Sequence, residues 1–111
     1  MDTISKYQQI IEKIISEYAK LRYSDSEVER KTVFDREQNH YLLMIVGVEG
    51  HKMVHGCILH LEIIDDKIWI HRDGMEDGIA GELLAEGVPK DKIVLGFYHP
   101  ETRKIGDFAV C

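Results

Sequence analysis

Apolar residues in the opening stretch of the chain fall on one side of a helical period. Ile4, Tyr7, Ile11, Ile14, Tyr18 and Leu21 recur at steps of three and four, and Ile10 and Ile15 widen the stripe. This predicts an amphipathic helix lying on an apolar surface. Asp2 or Thr3 is placed to cap its start, and the Ser24-Asp25-Ser26 cluster to end it. The run is shorter than the three to four heptads that argue for a coiled coil, so the stripe is assigned to the domain's own core.

From Val28 the period changes. β-Branched and aromatic residues gather in runs from Glu27 to Asp35, Tyr41 to Val48 and Met53 to Ile64. Between them stand Gln38-Asn39 and Glu49-Gly50, and Asp65-Asp66 follows the third, polar connections short enough to join antiparallel neighbours. A fourth run, Lys67 to His71, completes a meander. Within it YLLMIVGV presents apolar groups to both faces, where a sheet with one wet face would alternate apolar with polar. One face is to be covered by the N-terminal helix and a later one. The other needs a lid, and with few residues left a second copy of the chain is its expected source, which predicts a homodimer.

Ile68 and Ile70 alternate with Trp69 and His71, so the fourth strand ends near His71. Asp73 then stands where a helix N-cap would, with Glu76 three residues on as in a capping box and Asp77 adding charge to the first turn. Ile79, Ala80, Leu83 and Leu84 carry this helix to Gly87, where Val88 is placed for a Schellman contact and Pro89 blocks continuation. Gly78 and Gly81 would each cost up to about 1 kcal/mol inside it relative to alanine. Close approach of the helix to the sheet or to another backbone is the expected reason for them. Residues 93 to 97, IVLGF, form a last short strand, followed by a His99-Pro100 turn and a tail in which Ile105, Phe108 and Val110 pack back on the domain. The predicted fold is α+β: an N-terminal helix, an antiparallel β-meander of about four strands, a second helix and a short final strand, in a single domain spanning residues 1–111.

Charge narrows the function. The 111 residues carry a formal net charge of -6. Residues 1–37 hold seven Lys and Arg against eight Asp and Glu, and residues 38–111 hold seven against twelve. A chain without a basic arm, stripe or tail is poorly suited to gripping phosphate backbones by itself. A protein partner or a small ligand suits it better. No stretch approaches the about 20 apolar residues that span a bilayer, and MDTISKYQQIIEKIISEY lacks the continuous apolar run of a signal peptide. The cytoplasm is the expected location. Cys57 lies in an apolar run and Cys111 is the last residue, a spacing that suits neither a zinc site nor a disulfide framework.

Catalytic patterns fail on their context. His71-Arg72-Asp73 matches the triplet that opens a kinase catalytic loop, but the fifth residue after Asp73 is Gly78 instead of a metal-holding Asn, and no Gly-rich phosphate loop exists. His51, His55, His60, His71 and Asp73 fall on or beside adjacent strands and raise the question of a metal. His55 and His60 differ by an odd number of residues, so on a regular strand they face opposite ways. Ser5, Ser16, Ser24 and Ser26 lie on or just after the first helix, none in a G-x-S-x-G elbow, and Cys57 sits mid-strand where a thiol is inert packing. Glu62, Asp65, Asp66, Asp73, Glu76 and Asp77 gather near turns and a helix start, where acids are normally solvated. The expectation is a protein that is not an enzyme, with no catalytic residues, no cofactor and no metal.

GCILHLEIIDDKIWIHRDGMEDGIAGEL, GVPKDKIVLGFYHP and the closing FAV resemble the XisI family, the fdxN element excision controlling factors of cyanobacteria. The opening YQQIIEKIISEYA and the later FDREQNHYLLMIVG extend the likeness nearly end to end. The resemblance implies an accessory role in programmed removal of a DNA element during heterocyst differentiation. There a separate recombinase cuts and rejoins, and a nuclease-like protein of the XisH family is the usual neighbour. It brings no catalytic residues with it. The expected function is therefore a non-catalytic controlling factor that binds an XisH-like partner and not DNA directly. The alternative is a small-ligand sensor, which an enclosed polar pocket near His60, His71 and Asp73 would signal. Candidate partner contacts are Trp69, His71, Arg72 and Asp73 at the strand–helix junction and Tyr98, His99 and Arg103 beyond the last strand, because aromatic and Arg side chains commonly anchor interfaces.

Overall fold

The computed structural model describes residues 2–20 and 27–111; Leu21 and the Ser24-Asp25-Ser26 cluster lie outside the described residues. Helix α1 (Thr3–Ala19) starts where the Asp2 carboxylate accepts the Ser5 N–H at 2.7 Å, so the cap is Asp2 and not Thr3. Its buried face is Tyr7, Ile10, Ile11, Ile14 and Ile15, the centre of the predicted stripe.

Strands β1 (Glu27–Asp35), β2 (His40–Glu49), β3 (Lys52–Ile64) and β4 (Lys67–Asp73) follow as antiparallel neighbours. Asp65 and Asp66, at φ 49° and 66°, give the β3–β4 turn the two left-handed residues of a type I′ hairpin. Strand β5 (Ile93–Val94) joins β4 in parallel, and the sheet order is β1-β2-β3-β4-β5. It is shorter than the predicted 93–97. Past Val94 the Gly96 N–H turns back to the Val94 carbonyl at 3.0 Å, which breaks the regular ladder although the Phe97 N–H still bonds the Ile70 carbonyl on β4 at 3.1 Å, and Ala109 bridges Val94 from the tail.

The second helix starts later than its acids suggest. Asp73 ends β4 and is not the N-cap of α2 (Ala80–Ala85). Its Oδ1 accepts the Met75 N–H at 3.2 Å and its Oδ2 the Ile79 N–H at 2.9 Å, so one carboxylate ties down the loop that precedes the helix. Gly78 lies in that loop at φ +77°, a conformation that favours glycine, and not inside the helix. Gly81 is helical but a Cβ there would meet open space, so close packing does not explain it. The far end behaves as predicted: with Gly87 at φ +98°, the Gly87 N–H bonds the Leu84 carbonyl and the Val88 N–H the Leu83 carbonyl, both at 3.0 Å, the two bonds of a Schellman motif.

Helices α1 and α2 pack on one face of the sheet, closing a core that includes Ile11, Ile15, Tyr41, Leu43, Leu59, Leu61, Ile68, Ile70, Leu83 and Ile93. A short 3₁₀ turn, Lys90–Lys92, leads into β5, and helix α3 (Pro100–Arg103) follows it. In the tail Phe108 packs against the core as expected, whereas Ile105 is 85% exposed and Val110 38% exposed.

Candidate functional site

Two β-bulges decide what the outer face of the sheet carries. In β3 the register passes from Leu43 opposite Leu59 to Met44 opposite Cys57, leaving Ile58 as the extra residue. His60 is then opposite Leu42, and His55 opposite Val46. Leu42 and Val46 lie an even number of residues apart on β2 and point outward between the buried Tyr41 and Leu43 and the residues beyond, so His55 and His60 share the outer face. The extra residue thus overturns the expectation that they face opposite ways. In β4 a second bulge sets both His71 and Arg72 against His60, the ladder running from Leu61 opposite Ile70 to His60 opposite Arg72.

On that face three imidazoles and one carboxylate close a ring across β2, β3 and β4. His40 Nδ1 is 3.1 Å from His60 Nε2, and His71 Nε2 is 2.8 Å from Glu62 Oε1. His40 Nε2 is 3.6 Å from Glu62 Oε2, and the His60 and His71 rings lie 4.9 Å apart between centroids. Burial holds the His60 pKa below its ordinary 6.5; the neighbouring His71 and His40 push the same way, and Glu62 opposes them. The four side chains form one hydrogen-bonded and stacked cluster. Among the described residues no activated nucleophile stands beside it: burial raises the pKa of the Cys57 thiol, whose Sγ donates to the Leu59 carbonyl at 3.1 Å. Among the described residues no group of three or more His, Cys, Asp or Glu is arranged to hold a metal ion.

Trp69 extends this ring toward the carboxy-terminal segment. Its ring stacks on His71 at 6.0 Å between centroids and 28° between planes, and the Arg103 guanidinium lies 5.0 Å from its centroid on the other element. Gly96 permits the approach. A Cβ there would lie 3.0 Å from the Ile70 carbonyl oxygen, 3.1 Å from Trp69 and 3.3 Å from His71 Nδ1. Arg103 also donates to the carbonyls of Tyr98 at 3.0 Å and Val110 at 3.2 Å, which fastens the tail beside α3. Around it Phe97 and Tyr98 stand 43% and 46% exposed with ring centroids 4.6 Å apart. A cavity of about 220 Å³ opens between Leu95, Tyr98, Thr102, Arg103, Ile105 and Phe108.

Of the seven residues singled out from the sequence, Trp69, His71, Tyr98 and Arg103 therefore come together. The other three do not join them. Arg72 donates its Nε to the Cys57 carbonyl at 2.7 Å, Asp73 is committed to the loop before α2, and the His99 ring accepts the Glu101 N–H at 3.1 Å as the cap of α3. The sequence pattern does not single out His40, and it reads Glu62 only as a solvated acid. Their signal is the pairing of His40 with Glu62 across β2 and β3, which requires the register and not only the strand pattern.

The sequence matches the family described as XisI protein over residues 1–110. Among solved structures, an XisI-like protein from Anabaena variabilis is 37% identical, with a TM-score of 0.90 over 97% of this chain and 99% of that one. The fdxN element excision controlling factor XisI from Anabaena variabilis is 35% identical, with a TM-score of 0.85 over 99% of this chain and 100% of that one. No curated protein matches the sequence.

Proposed function

The chain belongs to the XisI family, and from that premise we propose that it is a non-catalytic controlling factor of fdxN-type DNA excision, acting in the cytoplasm through a bound XisH-like protein. The observation that carries this reading is the carboxy-terminal surface. There Phe97, Tyr98 and Ile105 are exposed around an apolar cavity, and Arg103 is held over Trp69 at its edge. An exposed aromatic and Arg cluster beside a cavity able to take a partner's apolar side chain has the make-up of an interface hot spot. The net charge of -6 argues that any action on DNA passes through such a partner. None of the described helices is long and apolar enough to cross a membrane, which agrees with a factor that works in solution.

The test is capture of an XisH-type protein on the immobilised chain. Wild type should retain it, and Trp69→Ala or Arg103→Ala should weaken retention at least about 10-fold. Arg72→Ala, whose side chain is turned to Cys57, should leave it unchanged. Failure of the wild-type chain to retain any XisH-type protein overturns the reading.

A further inference from the structure

The outer face of the sheet has a different character from the carboxy-terminal surface. Along β2 it presents Leu42, Met44, Val46 and Val48, all partly exposed, with Cys57 opposite Met44 on β3. Val33 on β1 is 48% exposed and Met53 on β3 78% exposed. Helices α1 and α2 occupy the inner face, and among the described residues none packs over these side chains. The charged groups of β1 on this face, Glu27, Glu29, Lys31 and Asp35, stand on the edge strand and are of both signs. Toward β4 the face carries Glu62, the histidine ring and the exposed Arg72 beside Cys57; the uncharged strip is β2, with Val33 and Met53 flanking it.

We propose that this face is the seat of a second copy of the chain, packed sheet on sheet about a two-fold axis that passes near Met44 on β2. Shape supplies the first argument. Four strands about 4.8 Å apart and ten residues of about 3.3 Å rise make a footprint of about 600 Å², close to the about 800 Å² per partner of a standard stable interface. A single helix about 10 Å across would leave half of that width wet. A second sheet covers it, and two copies of one chain have the same twist, which is the condition for aligned face-to-face packing.

Charge placement supplies the second argument. In an isologous contact a residue on the axis meets itself, so a charge there would meet its own kind. The axis position proposed here falls on the uncharged β2 strip of Leu42, Met44 and Val46, and the mixed charges of β1 on one side and Arg72 and Glu62 toward β4 on the other all lie off the axis. The contact also encloses the His40, His60, Glu62 and His71 ring, whose hydrogen bonds are already made within one copy. It therefore buries few polar groups without partners.

Sedimentation equilibrium of the full chain should give twice the 12.8 kDa chain mass. Met44→Lys, which sets two ammonium groups against each other at the axis, should raise the dimer dissociation constant at least about 100-fold with the circular dichroism spectrum unchanged. A short bismaleimide offers a second measurement that does not depend on the folding of Met44→Lys. It should join two copies of a Cys57→Ser/Cys111→Ser chain that carries Met44→Cys, and fail with the Cys57→Ser/Cys111→Ser chain itself. A wild-type mass of one chain at the highest soluble concentration overturns the proposal. So does a dimer in which Met44→Lys folds and still pairs with wild-type affinity, or one that Met44→Cys does not crosslink. Because the proposed partner site lies on the carboxy-terminal surface, a monomeric chain that still captures an XisH-type protein would sink this inference and leave the other standing.

Discussion

Asp73 bonds two backbone N–H groups at once, those of Met75 and Ile79, and holds the turn by which the chain passes from β4 to α2. Asp73→Ala removes both acceptors and is expected to cost about 1–2 kcal/mol in urea unfolding. Glu76→Ala should stay within about 0.5 kcal/mol, although the capping box legible in the sequence would make it equally costly. The type and spacing of these acids were readable; which N–H groups they reach depended on where the loop ends. His60 offers a test by pH. Its pKa in the folded chain lies below the ordinary 6.5, so the unfolded chain takes up the proton first. The contribution of the neutral ring is whole above pH 6.5 and is lost as pH falls below that value toward the folded pKa. Thermal melts of wild type should therefore drop on acidification from pH 7.5 to 5.5, and those of His60→Gln should drop less. An equal fall in both would remove His60 as the cause.

Among the elements, α1 was legible because its five buried residues repeat at helical steps, and no tertiary detail is needed to see that. The carboxy-terminal end of α2 was legible for a similar reason, since Gly87, Val88 and Pro89 announce a Schellman motif locally. The bulges were not. Ile58 and His71 are ordinary strand residues, and only the pairing of three strands shows that each is the extra one. That is why the strand pattern alone puts His55 and His60 on opposite faces and hides the ring of His40, His60, Glu62 and His71. Gly47 is a related case, hidden within an apolar run. A Cβ at that position would overlap the Glu27 carbonyl on β1. Gly47→Ala is expected to cost about 1–3 kcal/mol and to loosen the β1–β2 ladder, read as faster amide exchange of residues 27–29 than of β3. Unchanged exchange there would show that the strands adjust without parting.

At the scale of the whole molecule, fold class and family were readable from the sequence, while the site was readable only in part. Trp69, His71, Tyr98 and Arg103 converge because β4, the segment after β5 and α3 meet at one edge of the sheet. Arg72, Asp73 and His99 are near neighbours in sequence but bond elsewhere. The charge of -6 is the premise of the role proposed for this surface. It leaves little attraction for phosphate backbones, so nucleic acid should be reached through a bound protein. The most direct measurement is fluorescence anisotropy of a labelled DNA duplex at low salt, titrated with the chain alone, with an XisH-type protein alone and with both together. The account predicts no change with the chain alone and a further shift when it joins the XisH-type protein on the duplex. Tight, salt-sensitive binding by the chain alone would contradict it.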